Sequence, residues 1–367
     1  MPDSQTETPE LSELYSRHSS KWRRFNADVL PMHVAEMDFA IAEPVRELIA
    51  RMAHESDLGY LGPVPEVARA FEGFARDRWG WQIHKAELKI ATDVGVATVE
   101  YLRANLEPGA RVIVNSPVYS GFYEWLKELK IDPVDVPLAH TDAGWRLDLV
   151  GLEQAFKAGH LTLLLCNPHN PVGRAFDRQE LTALAALANR YGATVISDEI
   201  HAPLVFKGRE FYPFMAVSDD AREVSVAISG SGKAFNLAGL KCALIITGSE
   251  ELKQRINAMP ESVSYRASIF GAVAATAGFS QSIDWLDGVI ATLEENKVLI
   301  RNLIDSKIPS ITYREPDFSY LAWLDLSALN LGDDPAKHLL EKGKVAFKGG
   351  YMYGPNHKQY IRFNFGT

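Results

Sequence analysis

Short apolar runs alternate with longer amphipathic stretches through the middle of the chain, and this alternation limits the possible folds most. The runs include RVIVNSP, LTLLLCNP, ATVISDE, VSVAIS and CALIIT, and each suits a strand that is buried on both faces. Between them lie stretches such as DRQELTALAALANRYG, in which apolar residues recur at helical spacing before a closing glycine. The pattern predicts an α/β domain with a mostly parallel sheet over residues 48–280.

The last part of the chain has a different pattern. SIDWLDGVIATLEENKVLIRNLIDSKI predicts a long amphipathic helix that carries the chain away from the sheet. SYLAWLDL and YIRFNFGT then alternate as half-buried strands do. We therefore predict a second, smaller α+β domain formed by residues 281–367 and completed by residues 1–47.

Composition and charge favour small molecules over polyanions as partners. The 367 residues are 47% hydrophobic and carry a net charge of −9, which disfavours nucleic acid and anionic membranes as partners. We expect a cytoplasmic protein, because neither a signal peptide nor a membrane span stands out. Cys166 and Cys242 lie within apolar runs without metal-ligand spacing, so we expect two reduced core thiols and no metal site.

Polar residues follow four of the predicted strands, at the edge where open α/β sheets bind their ligands. They are Tyr119, Asn170 in the turn CNPHNPVG, Asp198 with His201 three residues later, and Lys233. Taken singly, each has a structural explanation, such as a helix cap, a turn or a solvated lysine. Together, a carboxylate, a lysine, an amide and an aromatic ring could hold a flat cationic heteroaromatic ring and bond to it covalently.

Pyridoxal phosphate requires this combination of residue types. Lys233 could bond to its aldehyde, and Asp198 could keep its pyridine nitrogen protonated. The phosphate requires a helix N-terminus, a hydroxyl group and a cation. For these the chain offers the amides of Gly95 and Val96, the hydroxyl of Ser229 or Ser231, and the charge of Lys241. A lysine at the edge of the interior also suits this chemistry, because burial favours the neutral, nucleophilic amine.

The sequence resembles the fold type I pyridoxal-phosphate enzymes, the aspartate-aminotransferase superfamily, and within it the MalY/PatB-type cystathionine β-lyases, which are C–S lyases. The resemblance rests on eight segments in the family's order, namely DVLPMHVAEMDF, LGYLGP, NSPVYSGFY, CNPHNPVGRAF, SDEIHAPLVF, KAFNLAGLK, SYLAWLDL and YIRFNFG. It implies a seven-stranded, mostly parallel sheet in an α/β/α sandwich, with a smaller domain from both chain ends. Many aminotransferases of the superfamily have tyrosine where His201 stands, whereas this branch has histidine.

The resemblance also implies a role for each cofactor residue. Lys233 bonds to the cofactor, and Asp198 pairs with the pyridine nitrogen. Asn170 donates to the phenolic oxygen of the ring, and Tyr119 stacks on its face. His201 supports the same ring from beneath it or beside that oxygen.

Two further roles follow from the resemblance, one for the substrate and one for a second subunit. Arg362 is expected to grip the substrate α-carboxylate through two parallel hydrogen bonds. Tyr60, in LGYLGP, resembles a tyrosine that reaches the phosphate from a neighbouring subunit. We therefore expect a homodimer.

The sequence departs from the family's pattern at four positions. Gly232 stands directly before the lysine where relatives commonly have serine, so either of two nearby serines could meet the phosphate. Lys241 replaces a common arginine. His33 and Glu36 replace tryptophan and aspartate in a segment expected near the substrate mouth. The resemblance therefore defines the side chain of the substrate less well than it defines the rest of the substrate.

The resemblance favours β-elimination of a thiol from cystathionine or a related cysteine thioether, which gives homocysteine or another thiol, pyruvate and ammonia. An aminotransferase on the same fold is the main alternative, because the residues at the sheet edge serve both reactions. A third hypothesis is a regulatory binding protein of the MalY type. We expect no DNA-binding module in front of the fold, which disfavours this third hypothesis.

Overall fold

The computed structural model describes residues 8–83, 88–142 and 144–367. The strands are β1 Leu30–Pro31, β2 Leu88–Ala91, β3 Val112–Val114, β4 Pro133–Asp135, β5 Ala139–Thr141, β6 Gly144–Arg146, β7 Thr162–Cys166, β8 Thr194–Asp198, β9 Ser225–Ser229, β10 Ala243–Thr247, β11 Thr312–Tyr313, β12 Leu321–Asp325, β13 Val345–Ala346, β14 Lys348–Gly349 and β15 Tyr360–Asn364. The α-helices are α1 Leu11–Leu14, α2 Ser20–Arg23, α3 Glu43–His54, α4 Pro65–Trp79, α5 Val94–Asn105, α6 Ser120–Glu128, α7 Leu149–Lys157, α8 Arg178–Tyr191, α9 Asp219–Val224, α10 Glu250–Asn257, α11 Ser262–Tyr265, α12 Ile269–Gln281, α13 Ile283–Lys307 and α14 Pro335–Gly343.

The larger sheet has seven strands in the order β2-β10-β9-β8-β7-β3-β4. Strand β10 runs antiparallel to both of its neighbours, and the other pairs are parallel. Every apolar run that predicted a strand forms one in this sheet, so the predicted mostly parallel, seven-stranded sheet is confirmed. The register pairs Cys166 with Asp198 and Asp198 with Ile228, which brings three strand ends to one edge.

Helices cover both faces of this sheet, because successive strand residues point to opposite sides. Leu163 and Leu165 of β7 belong to a core cluster that also contains Leu181 of α8. Leu164, between them, belongs to a second cluster with Leu126 of α6. This alternation makes the α/β/α sandwich that the resemblance implies.

The smaller sheet has the order β11-β12-β15-β14, and the N-terminal segment joins it. Strand β1 pairs in parallel with β13, and the amide of Asn364 donates to the carbonyl of Met32 at 3.0 Å. The side-chain amide of Asn364 also donates to the carbonyls of Val34 and Glu36. These contacts agree with an N-terminal segment that completes the second domain. The boundaries at 47/48 and 280/281 stay a prediction, and helix α3 continues across the first of them.

Within the described ranges, every helix is too short or too polar to cross a membrane.

Candidate active site

One cavity of about 620 Å³ opens at the carboxyl edge of the larger sheet. Eight of the residues predicted from the sequence line it, namely Gly95, Tyr119, Asn170, Asp198, His201, Lys233, Lys241 and Arg362. The N-terminal segment and the smaller sheet contribute the facing wall, through residues such as His33, Ala35 and Lys348. The predicted convergence at the sheet edge is therefore present in the structure.

Lys233 follows strand β9, and its amine lies inside the cavity wall. Its Nζ donates a hydrogen bond of 2.8 Å to the carbonyl oxygen of Ala35. Burial, and after it the charge of Arg362, lower the pKa of Lys233 to about 8, while Asp198 opposes the shift. Near physiological pH, an amine with this pKa is neutral in a far larger fraction of molecules than an ordinary lysine is, and the neutral form is the one that acts as a nucleophile or a base.

Asp198 is the last residue of strand β8, and it is buried. Its Oδ1 accepts a hydrogen bond of 3.1 Å from the amide of Ile200. Burial raises the pKa of Asp198 to about 6, against the opposing effects of the Ile200 amide and of Lys233. A buried carboxylate of this kind is stabilised by a cationic partner, so it suits a protonated ring nitrogen.

Tyr119 lies at the N-cap position of helix α6, and its ring folds back over the first turn. A side chain at Gly121 would collide with this ring, so the glycine makes the ring position possible. The ring also meets Trp125 edge to face, with 5.8 Å between ring centroids. The aromatic face of Tyr119 is thus fixed at the cavity wall, where a flat ligand can stack on it.

Arg362 lies on strand β15 and is only 4% exposed. Its Nη2 donates to the carbonyl of His33 at 2.9 Å, and its Nη1 donates to Oδ1 of Asn170 at 3.4 Å. Its Nε has no hydrogen-bond partner among the described residues. The guanidinium is therefore held in position while part of its donor fork remains available to a carboxylate.

His201 is buried beneath the same cavity. Its Nδ1 lies 3.0 Å from the hydroxyl of Ser319, and its ring centroid lies 6.1 Å from that of Tyr320. Burial lowers the pKa of His201 well below its ordinary value, and the charges of Lys233 and Arg362 act in the same direction. The imidazole is therefore neutral and can form hydrogen bonds without adding charge to the site.

The predicted phosphate region lies at the start of helix α5. Asp93 caps this helix by accepting from the amide of Val96 at 2.8 Å, and it also accepts from Nζ of Lys241 at 2.8 Å. Two of the predicted phosphate ligands are thus joined to the same carboxylate. The first amides of a helix have no intrahelical acceptor, so those of Val94 and Gly95 suit an anion.

Four predicted site residues do not line the cavity. Val96 is held by Asp93, and the hydroxyl of Ser229 donates to the carbonyl of Glu199 at 3.4 Å. Ser231, close to Ser229 in the sequence, is also buried. Tyr60 is 93% exposed in the loop between α3 and α4. Their roles toward a cofactor stay predictions.

Sequence reasoning missed several residues of the cavity wall. The carbonyl of Ala35 accepts hydrogen bonds from both Lys233 and Tyr320, yet a main-chain acceptor gives no side-chain signal. Trp125 lies within an ordinary amphipathic helix and gave no signal either. Arg24 and Lys348 also line the cavity, and they could not be assigned to it without the tertiary fold.

The described residues contain no cluster of three or more side chains suited to a metal ion.

Comparison with known proteins supports the predicted resemblance. The family named Aminotransferase class I and II matches residues 33–367. The chain belongs to this family. A Mycobacterium tuberculosis relative, provisionally named a cystathionine beta-lyase, is 36% identical, and the alignment covers 97% of this chain and 93% of the relative. Cystathionine beta-lyase PatB from Bacillus subtilis is 33% identical, with coverages of 96% and 94%.

A solved structure of a related protein is similar to this chain over nearly its whole length. It is a provisionally named PLP-dependent beta-cystathionase from Corynebacterium diphtheriae, 31% identical, with a TM-score of 0.93 and coverages of 99% of this chain and 94% of that chain. The predicted resemblance to the cystathionine β-lyase branch is thereby confirmed.

Proposed function

We propose that the protein is a pyridoxal-phosphate-dependent carbon–sulfur β-lyase that acts on cystathionine or a related cysteine thioether. The observation that carries the proposal is the placement of Lys233, Asp198 and Arg362 around one cavity, with the Lys233 amine at a lowered pKa. The names of the relatives support the same activity, since those from M. tuberculosis and B. subtilis are named as cystathionine beta-lyases.

The cavity residues fit the cofactor. Lys233 would hold it covalently, Asp198 would face its pyridine nitrogen, and Tyr119 would stack on its ring. Asn170 and His201 would hydrogen-bond at the ring edge. When bound, pyridoxal phosphate supplies an electron sink for the bonds at the substrate α-carbon.

The protein's own residues then perform binding and proton transfer. Arg362 holds the substrate α-carboxylate, which fixes the orientation of the α-carbon. The amine of Lys233, which the incoming substrate amine would release from the cofactor, removes the proton from that carbon as a general base, and its lowered pKa permits this. The thiolate leaves the β-carbon and takes up a proton, and water hydrolyses the remaining three-carbon enamine to pyruvate and ammonia.

A homodimer completes the proposal. Tyr60 is 93% exposed and Leu58 is 57% exposed within one loop, so a partner subunit could cover both side chains. Tyr60 lies outside the cavity of its own chain, which fits a role at the partner's phosphate. Light scattering should give twice the chain mass, and Tyr60→Phe should weaken cofactor retention. We also place the protein in the cytoplasm, in keeping with its two unpaired cysteines.

The decisive assay is incubation of the holoenzyme with L-cystathionine in the absence of any keto acid. A β-lyase releases free thiol, pyruvate and ammonia in equal amounts over many turnovers. An aminotransferase stops after one turnover until a keto acid is added, and that result would replace the proposal with the alternative. Lys233→Ala serves as the matched control, because thiol released by a colourless preparation of this variant comes from a contaminating activity.

A further inference from the structure

A second group of basic side chains lines the cavity beside Arg362. Lys348 of strand β14 is paired directly with Arg362 of β15 in an antiparallel register. Directly opposed residues lie on the same face of a sheet, with Cβ atoms roughly 4.5–5.5 Å apart. Arg24, from the chain that follows helix α2, lines the same cavity. Three cations from three separate segments therefore surround one space.

Neither Arg24 nor Lys348 has a carboxylate partner within 4.0 Å in the described part of the chain. Glu124 also lines the cavity and is the carboxylate that affects the pKa of Lys348, but its effect is smaller than those of burial and of Arg362. Burial and the neighbouring cations lower the pKa of Lys348. Like charges brought together without counterions are unfavourable, and a bound anion would relieve this repulsion.

His33 lines the same cavity as these cations and provides an independent sign of a ligand. The residue is only 6% exposed and lines the cavity, yet neither ring nitrogen has a hydrogen-bond partner among the described residues. Its ring meets Phe25 edge to face at 4.9 Å, which fixes its plane. Burial, followed by the charges of Arg24 and Lys348, lowers the pKa of His33 to about 4. It is therefore a neutral imidazole with an unused N–H donor.

Buried polar groups without partners are costly, so an unpaired imidazole beside unpaired cations indicates a missing acceptor. Asp198 is already assigned to the pyridine nitrogen of the cofactor, and Lys233 is already assigned as the base. Arg362 is assigned to the substrate α-carboxylate. The remaining donors therefore suit a second anionic group on the same substrate.

We propose that Arg24, His33 and Lys348 form a subsite that binds a carboxylate at the far end of the substrate's sulfur substituent, an inference that rests on the proposed lyase function. This subsite selects cysteine thioethers with a distal carboxylate over neutral thioethers of equal size. The three residues are specificity residues and take no part in the proton transfer.

A pair of nearly isosteric substrates tests this subsite. The holoenzyme is assayed with S-(2-carboxyethyl)-L-cysteine and with its amide, S-(2-carbamoylethyl)-L-cysteine. Wild-type kcat/KM should favour the acid by about tenfold or more, because charge-assisted hydrogen bonds are lost with the amide. Arg24→Gln and Lys348→Gln should each reduce this ratio severalfold, and they should do so by lowering the rate for the acid alone.

Arg23→Gln is the matched control. Arg23 and Arg24 are both exposed, but Arg23 does not line the cavity, and its Nε donates to the carbonyl of Arg17 at 2.9 Å. It should keep the wild-type ratio. Equal rates for the acid and the amide in the wild type, or an unchanged ratio in both Arg24→Gln and Lys348→Gln, would overturn the subsite.

A binding measurement separates this inference from the lyase proposal. Pimelate and its monoamide are titrated into the holoenzyme by calorimetry, which requires no turnover. Their two end groups are separated by five chain atoms, as are the two carboxyl groups of S-(2-carboxyethyl)-L-cysteine. The subsite predicts a Kd for pimelate about tenfold lower than for its monoamide, and near equality in the double variant Arg24→Gln, Lys348→Gln. If neither cysteine thioether releases thiol but pimelate is still preferred, the lyase proposal fails and the subsite stands. If thiol is released but pimelate is not preferred, the subsite fails alone.

Discussion

The two walls of the cavity are built in different ways. The wall at the edge of the larger sheet carries Tyr119, Asn170, Asp198 and Lys233, each at or just after the end of a strand. The facing wall comes from the N-terminal segment and the smaller sheet, and it contributes main-chain carbonyls and several cations. The first wall has the groups that the cofactor requires, and the second has groups that bind the ends of a substrate.

Two hydrogen bonds join the walls. Nζ of Lys233 donates to the carbonyl of Ala35, and Nη1 of Arg362 donates to Oδ1 of Asn170. Within the facing wall, Nη2 of Arg362 also donates to the carbonyl of His33. The segment that contains His33 and Ala35 thus contacts both the base and the carboxylate-binding arginine. Cofactor chemistry depends mainly on the sheet-edge wall, and substrate binding depends mainly on the facing wall. Substitutions on the two walls should therefore have different kinetic signatures.

The largest effect is expected at the sheet-edge wall, for Lys233→Ala. Loss of the covalent attachment and of the base should lower kcat by on the order of 10⁴-fold or more, and should remove the visible absorbance of the bound cofactor. Spectra and thiol release measure both. Lys253→Ala, at a partly exposed lysine of helix α10 outside the cavity, is the control and should behave as wild type. A Lys233→Ala enzyme that keeps both the visible absorbance and the activity would show that the cofactor is attached to another lysine.

Asp198→Asn should have the next largest effect, lowering kcat by about 100-fold, since the charge opposite the ring nitrogen is lost while the shape is kept. The pKa of Asp198 is raised to about 6 in the folded protein, so the ionised carboxylate costs stability above that pH. The cofactor-free variant should therefore be at least as stable as the cofactor-free wild type at pH 7. A lower melting temperature, or an unchanged kcat, would remove the assigned role of this carboxylate.

On the facing wall, Arg362→Lys should raise KM by about tenfold to a hundredfold with a smaller change in kcat. A lysine keeps the charge but cannot reproduce the planar fork toward the α-carboxylate. Cofactor absorbance should be retained, in contrast to Lys233→Ala. Steady-state kinetics with L-cystathionine measure the split, and an unchanged KM would place the carboxylate site elsewhere.

The smallest effect concerns the pH dependence of cofactor loading. Only the neutral amine of Lys233 can attack the aldehyde, and its pKa is lowered from 10.5 to about 8. The rate at which the cofactor-free protein takes up pyridoxal phosphate should therefore rise about tenfold between pH 7 and pH 9 and then level off. Stopped-flow absorbance gives this profile. A rate that continues to rise beyond pH 10 would mean that the amine is not desolvated.

The difference between the walls also explains how much the sequence could predict. Asp198 and Lys233 follow apolar runs, and the parallel register that aligns strand ends is a general property of such sheets. Their meeting at one edge could therefore be predicted without a structure. The resemblance to a known family added Arg362, which composition and spacing alone did not assign.

The facing wall could not be predicted because it depends on contacts between distant parts of the chain. Ala35 meets Lys233 across 198 positions, and His33 meets Arg362 across 329 positions. The carbonyl groups that make these contacts have no side-chain signature. A contact between distant residues also occurs outside the facing wall. Asp93 caps helix α5, and its carboxylate accepts from Lys241, which lies 148 positions later in the chain.

The most direct test of the central claim is reduction of the holoenzyme with borohydride, followed by protease digestion and mass spectrometry. Reduction makes the bond between the cofactor and its lysine permanent. We predict one modified peptide, which contains Lys233 and carries the added mass of the reduced cofactor. Modification at any other lysine, or no modification in a protein that has been saturated with pyridoxal phosphate, would contradict the account.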